Sequence, residues 1–185
     1  MKKIMLSFAV FALAIMTYGQ AKVELGVKLG ANFANTDIEG SESITALHGG
    51  AYGLIKLVNI GIQPEVLWSK QGNKFSGGEE VNLNYINVPV MLKIYLPLGL
   101  NLQAGPQFGI LTNAENEDGD DISEFLKGSD FSAALGAGWD APFGLQFTAR
   151  YVLGISDIND FDGEDSITNK TFQLSIGYSL FKFGK

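Results

Sequence analysis

Apolar and polar residues alternate with a period of two through most of the chain after residue 21. In the clearest case, Leu145, Phe147, Ala149 and Tyr151 alternate with Gln146, Thr148 and Arg150. This period is typical of a β-strand with one polar and one apolar face, and no segment there shows the apolar stripe of a helix. We therefore predict eight strands, over Lys22–Asn35, Leu47–Val58, Gly61–Gln71, Leu83–Leu96, Leu100–Thr112, Asp130–Asp140, Phe143–Ser156 and Lys170–Phe183.

The connections between these segments alternate in length. The short ones are tight turns at Asn59–Ile60, Pro97–Gly99 and Ala141–Pro142, and the long polar ones are Thr36–Ala46, Gly72–Glu80, Asn113–Ser129 and Asp157–Asn169. Strands of about 11 residues can cross a bilayer when tilted. The pattern predicts an all-β fold, an eight-stranded antiparallel up-and-down transmembrane β-barrel with short periplasmic turns and long extracellular loops. These loops are acidic, because 17 of the 20 Asp and Glu residues lie in them or at their edges.

The polar face of the strands indicates which side of the wall faces inward. It is rich in Gly, Asn, Gln and Ser, which suit the crowded interior of an eight-stranded barrel, whereas a face turned to water would carry more Lys, Glu and Thr. Trp68, Trp139 and Tyr151 lie on the apolar face near strand ends, as in an aromatic girdle. The alternative is a soluble, lipocalin-like barrel that binds a small hydrophobic ligand. A diffusion pore is disfavoured because side chains fill so narrow a lumen.

Several stretches resemble the PorT-like family of small outer-membrane β-barrels found in Bacteroidetes. They are Gly26–Phe33 (GVKLGANF), Gly61–Ser69 (GIQPEVLWS), Tyr85–Lys93 (YINVPVMLK), Gly105–Gly109 (GPQFG) and Arg150–Ile158 (RYVLGISDI). The similarity extends over about residues 22–183. It implies an outer-membrane location and, through the founding member, a link to protein secretion. The resemblance brings no catalytic residues.

The N-terminus has the pattern of a cleaved secretory signal. Met1-Lys2-Lys3 is a short basic region, Ile4–Met16 is apolar, and the segment ends at Thr17–Gln20. Its apolar part is shorter than the about 20 residues that a membrane-spanning helix needs. We expect residues 1–20 to be removed during export and residues 21–185 to form the barrel domain in the outer membrane.

Composition excludes several kinds of chemistry. The chain has no Cys, a single His and a net charge of −7, so thiol, zinc and iron–sulfur chemistry, disulfides and nucleic-acid binding are not expected. No spacing marks a nucleophile near His48, and we predict neither an enzyme nor a cofactor. The loop Asp157–Asp165 resembles a calcium loop in composition but not in spacing, so we interpret it as a solvated acidic loop. The expected partners are outer-membrane lipid, the outer-membrane insertion machinery and a protein bound through the acidic loops.

Six charged residues lie on the polar face of the predicted strands and therefore inside the barrel. They are Glu24, Lys28, Lys56, Glu65, Lys93 and Arg150. An unpaired ion in that setting costs several kcal/mol, so we predict a charge network. The expected register places Glu24 opposite Lys56 near the periplasmic rim. Arg150 is expected to reach Glu65 across the lumen at mid-height, with Lys28 close by.

The last strand has two predicted roles. Gly177, Tyr178, Phe181 and Phe183 resemble the C-terminal aromatic signal that the insertion machinery reads, although Lys182 interrupts it and Gly184-Lys185 follow it. The same strand must pair with the first one, since an open edge in lipid would leave backbone groups without hydrogen bonds.

Overall fold

The computed structural model describes residues 21–36, 42–74, 80–115, 128–155 and 169–184, so residues 1–20 and most of the acidic loop residues lie outside it. All eight predicted strands are confirmed. They are β1 Ala21–Thr36, β2 Glu42–Leu57, β3 Ile60–Lys74, β4 Glu80–Tyr95, β5 Leu100–Glu115, β6 Ser129–Asp140, β7 Leu145–Gly154 and β8 Asn169–Phe183. Each strand pairs antiparallel with its neighbours in sequence, and β8 pairs with β1 to close the barrel.

Closure of the barrel removes the free strand edges, as a membrane environment requires. The β1–β8 ladder runs from Val23 and Phe183 to Thr36 and Asn169, with one register shift beside Leu25. Tyr178, Phe181 and Phe183 of the closing strand are exposed on the outer wall. Gly177 points inward, since a side chain added there would meet the Tyr52 ring at 3.2 Å.

Three tight turns define one end of the barrel, which we call the turn rim; the opposite end is the loop rim. The first turn is Val58–Asn59, one residue earlier than predicted, and the third spans residues 141–144, so that β7 begins at Leu145 rather than Phe143. Gly144 adopts φ +101° and its N–H bonds to the carbonyl of Ala141, which lengthens that turn. The second turn is the predicted Pro97–Gly99, in which Leu98 and Gly99 both adopt positive φ.

The wall is apolar outside and polar inside. Leu29 is 71% exposed and Ile176 is 55% exposed, whereas Lys28 is 1% exposed and Gln63 is fully buried. Aromatic pairs lie on the outer face, including the stacked rings of Trp139 and Phe147, whose centroids are 5.8 Å apart. No helix in the described ranges has the length and apolar content to cross a membrane.

Candidate functional site: a polar plug in the lumen

Glycines on the inner wall make room for the large side chains of the lumen. Gly26 lies opposite Tyr52, Gly30 opposite His48, and Gly136 opposite Arg150. At Gly30 an added Cβ would lie 2.6 Å from the imidazole Nε2 of His48, and at Gly136 it would lie 2.9 Å from Cγ of Arg150. A side chain does not tolerate such distances without displacement. The inward glycines therefore let long polar side chains cross a narrow barrel.

The carboxylate of Glu65 lies at the centre of this interior. Arg150 binds it with two hydrogen bonds, from Nη1 to Oε2 at 2.8 Å and from Nη2 to Oε1 at 2.6 Å. Lys28 Nζ donates to Oε1 at 2.6 Å, and Gln63 donates to the same oxygen at 2.7 Å. The structure thus brings together three of the six predicted charges, and each of them is at most 2% exposed.

Lys93 belongs to a second ion pair nearer the turn rim. Its ammonium group donates to both carboxylate oxygens of Asp140 at 2.9 Å and to the side chain of Gln63 at 3.1 Å. Tyr95 donates to Asp140 at 2.7 Å, and Asn101 donates to it at 3.2 Å. Asp140 therefore accepts hydrogen bonds from three residues, and the charge of Lys93 balances that of its carboxylate.

The two ion pairs belong to one closed ring of hydrogen bonds. From Asn101 the ring continues to Gln103 and then to Arg150, which donates to Gln103 Oε1 at 2.9 and 3.0 Å and returns to Glu65. The members of this ring come from five strands and are Gln63, Glu65, Lys93, Asn101, Gln103, Asp140 and Arg150. We call this set, together with Lys28 from β1, the lumen plug.

The predicted contact between Glu24 and Lys56 is wrong. Glu24 lies opposite Leu54, and Lys22 lies opposite Lys56, so β2 is offset by two residues from the expected register. Glu24 instead pairs with Lys22 at 2.8 Å and accepts a hydrogen bond from Ser179. Lys56 places its ammonium group over the Tyr95 ring, 3.5 Å from the centroid.

Sequence reasoning missed several members of the plug. Gln63 and Gln103 are neutral, whereas the predicted network contains only charged residues. Asp140 is charged, but it lies at the end of a predicted strand and is not among the six predicted lumen charges. The sequence does indicate that Asp140 faces inward, because it continues the inward series of Gly136 and Gly138 at a spacing of two residues.

His48 is buried inside the wall near the loop rim. Its Nε2 lies 2.8 Å from the hydroxyl of Ser175, while Nδ1 has no hydrogen-bond partner among the described residues. A hydrolase triad needs a carboxylate at Nδ1 to orient the imidazole. No group of three or more His, Cys, Asp or Glu residues in the described part of the chain is arranged to hold a metal ion.

A small polar cavity of about 80 Å³ lies inside the turn rim, bordered by Lys22, Glu24, Lys56, Asp140 and Gln146. Both polar atoms of the Gln146 side chain are buried and lack partners in the described structure. A volume of this size can hold water, and buried polar groups commonly bind such waters.

The arrangement of cavities bears on the soluble-barrel alternative. A ligand-binding barrel encloses an apolar chamber. An open hollow of about 1060 Å³ is instead bordered by exposed apolar side chains of the wall, such as Leu29, Leu47 and Phe147. Apolar surface therefore lies where lipid would contact the wall, and the middle of the lumen holds ion pairs.

Comparison with known proteins agrees with this architecture. Neisserial surface protein A (NspA) shares 11% identity with the chain at a TM-score of 0.57, and the match covers 87% of this chain and 97% of that one. Ail, the attachment invasion locus protein of Yersinia pestis, solved with the heparin analogue sucrose octasulfate, shares 15% identity at a TM-score of 0.52 over 89% and 99% of the two chains. At these identities the likeness shows the fold alone. No curated protein sequence matches the chain. The sequence profile described as "Outer membrane protein beta-barrel domain" matches residues 18–160, and the chain therefore belongs to this family of outer-membrane barrels.

Proposed function

We propose that this protein is a non-conducting outer-membrane barrel whose wall holds it in lipid and whose loop rim binds a partner outside the cell. The lumen plug is the observation that carries the proposal, because its closed ring of hydrogen bonds joins five of the eight strands across the interior. An eight-stranded barrel filled by such side chains leaves no continuous path for ions.

Conductance in planar lipid bilayers tests this function. The purified barrel should insert without producing stable current steps. The double variant Arg150→Ala/Gln103→Ala removes the side chains that join β5 and β7 to Glu65. It serves as the control in which an ion current through the lumen becomes possible. Stable open channels in the unmodified protein would refute the proposal. Washing of cell membranes with alkaline carbonate addresses the soluble alternative, since only an integral barrel stays in the pellet.

The proposed orientation has the turn rim in the periplasm, after removal of residues 1–20 as a signal peptide. Short periplasmic turns and longer outer loops are usual for such barrels. Protease added to intact cells should cut within Asn113–Ser129 and spare Pro97–Gly99. Cleavage at Pro97–Gly99 instead would show that the turn rim faces the outside of the cell. The C-terminal strand, with Gly177, Tyr178, Phe181 and Phe183, is proposed as the segment that the insertion machinery reads.

The partner of the loop rim is proposed to be a protein with a basic surface. Ail was crystallised with a polysulfated ligand, but the acidic loops of this chain would repel such an anion. The resemblance to PorT-like barrels supports a partner in protein secretion. Co-purification from mild detergent tests both ideas, since a secretion component retained at low salt and released at high salt would support them. Recovery of the barrel alone at low salt would count against them.

A further inference from the structure

We propose that three apolar turn tips form a hydrophobic wedge that inserts into the phospholipid leaflet at the turn rim. The wedge consists of Val58, Leu98 and Phe143, one residue from each tight turn. Leu98 is 87% exposed, Val58 66% and Phe143 64%. Turns that face water usually carry Gly, Asn or Asp at such positions.

The backbone at two of these tips is unfavourable for the residues that occupy it. Val58 adopts φ 49° and Leu98 adopts φ 65°, in the left-handed region that suits glycine or asparagine. A β-branched residue is rare there. The sequence nevertheless places valine and leucine at these tips, which indicates that their apolar side chains have a use outside the turn itself.

In β3, β4 and β5 the apolar band of the outer wall continues up to the turns. The outward apolar series begins at Ile60 in β3 and at Leu100 in β5, and it ends at Leu96 directly after β4. A strand crosses the bilayer in about 9–11 residues. Counted from the turns, that length ends near Trp68 and Ile110, after which the outward side chains are Lys70 and Thr112. The hydrocarbon must therefore extend to the turns.

Several backbone polar groups of the turns have partners within the protein. The Trp139 indole donates to the carbonyl of Leu98 at 3.0 Å, and the N–H of Leu96 bonds to the carbonyl of Leu100 at 2.8 Å. In the third turn, the N–H of Gly144 bonds to the carbonyl of Ala141 at 3.0 Å. Pro97 and Pro142 have no N–H to satisfy. Turns with these internal bonds can enter the edge of the hydrocarbon at small cost.

Lipid is the occupant that the structure favours, because the wedge is continuous with the lipid-facing wall. Leu57 and Ile60 flank the Val58 tip and are 45% and 53% exposed, while Leu96 and Leu100 flank the Leu98 tip at 47% and 48%. A water-soluble protein bound to the tips alone would leave these flanking side chains in water. In the proposed orientation the leaflet is the periplasmic one, made of phospholipid.

Spin labelling tests the wedge, and the absence of cysteine makes single-cysteine variants straightforward. Nitroxides at Val58→Cys, Leu98→Cys and Phe143→Cys are compared in phosphatidylcholine liposomes for collision with oxygen and with a water-soluble nickel chelate. Oxygen collisions should dominate at all three tips, as at the lipid-facing control Ile176→Cys. The chelate should dominate at the loop-rim control Thr112→Cys.

Two results would overturn the wedge in distinguishable ways. Tip labels as accessible to the chelate as the Thr112 label, beside a lipid-exposed Ile176 label, would place the tips in water and favour a protein partner. A water-exposed Ile176 label would also contradict the membrane-embedded wall.

A second measurement uses Leu98→Asn, which relieves the backbone strain because asparagine tolerates positive φ. In water-facing turns this variant should be at least as stable as the parent. The wedge predicts a lower urea midpoint of unfolding from liposomes. An unchanged or higher midpoint would overturn the wedge.

Discussion

Replacing Glu65 with alanine should destabilise the folded barrel more than any other loss of a carboxylate in the described lumen. The substitution removes the acceptor for two hydrogen bonds from Arg150 and for one from Lys28. Both cations would remain at most 2% exposed and without that acceptor. Breaking a buried ion pair costs about 3–5 kcal/mol, and the upper end applies here because two cations lose their carboxylate. This is roughly a hundredfold to a few thousandfold in the ratio of folded to unfolded protein.

Compensating substitutions should identify the cause of the loss. Glu65→Ala with Arg150→Met removes one orphaned cation and should recover part of the stability, since apolar replacement of a buried pair is often neutral. Adding Lys28→Met removes the second cation and should recover most of the remainder. Glu24→Ala is the matched control near the turn rim, where the partner Lys22 side chain is 38% exposed, and it should cost about 1 kcal/mol.

The assay is reversible urea unfolding of each variant in detergent micelles, followed by tryptophan fluorescence and by the gel mobility of folded and unfolded barrel. The interaction energy of the double-mutant cycle is the deciding quantity. Losses that add in the Glu65→Ala/Arg150→Met variant would show that the two residues do not interact. A loss at Glu65 no larger than that at Glu24 would contradict the closed, poorly solvated plug.

Three further predictions concern the lumen and the wall, and each is measured by urea unfolding, in detergent micelles for the first two and in liposomes for the third. Gly30→Ala should cost about 1–3 kcal/mol because its Cβ would overlap the Leu174 carbonyl and the His48 ring, and a variant as stable as the parent would contradict the close packing. Tyr95→Phe removes the 2.7 Å hydrogen bond to Asp140 and should cost about 1–2 kcal/mol, with no change expected if water replaces the hydroxyl. Ile176→Arg should cost about 2–4 kcal/mol in liposomes, because this side chain lies on the lipid face, whereas a soluble barrel would tolerate it.

The sequence predicts the side of the wall on which a residue lies better than it predicts its neighbour. A slip of one residue between strands turns every side chain to the other face, so the apolar pattern excludes it. A slip of two residues keeps every face unchanged, and the pattern cannot detect it. The β1–β2 register shows this limit, because Lys56 lies inside as predicted but opposite Lys22 instead of Glu24.

Tight turns remove this ambiguity where they occur, because few residues separate the paired strand ends. Glu65 lies five residues beyond the start of β3, and Arg150 lies five residues beyond the start of β7. Short turns therefore fix the height of both residues in the barrel, and the structure brings the two side chains within 2.6 Å. Neutral members such as Gln63 and Gln103 were not predictable in this way, since amides in a lumen carry no charge that demands a partner.

The division of the barrel into wall, lumen and rims limits where a function can reside. The wall presents apolar side chains, which suit lipid, and the side chains of the lumen plug are hydrogen-bonded to one another. A group that already binds its neighbours in a poorly solvated interior has little capacity left for a soluble ligand. The two rims are therefore the surfaces where recognition can occur. The turn tips Val58, Leu98 and Phe143 are apolar and continuous with the lipid-facing wall, whereas most acidic residues belong to the long loops. A search for the partner should accordingly begin with substitutions in the acidic loops that leave the plug and the turns unchanged.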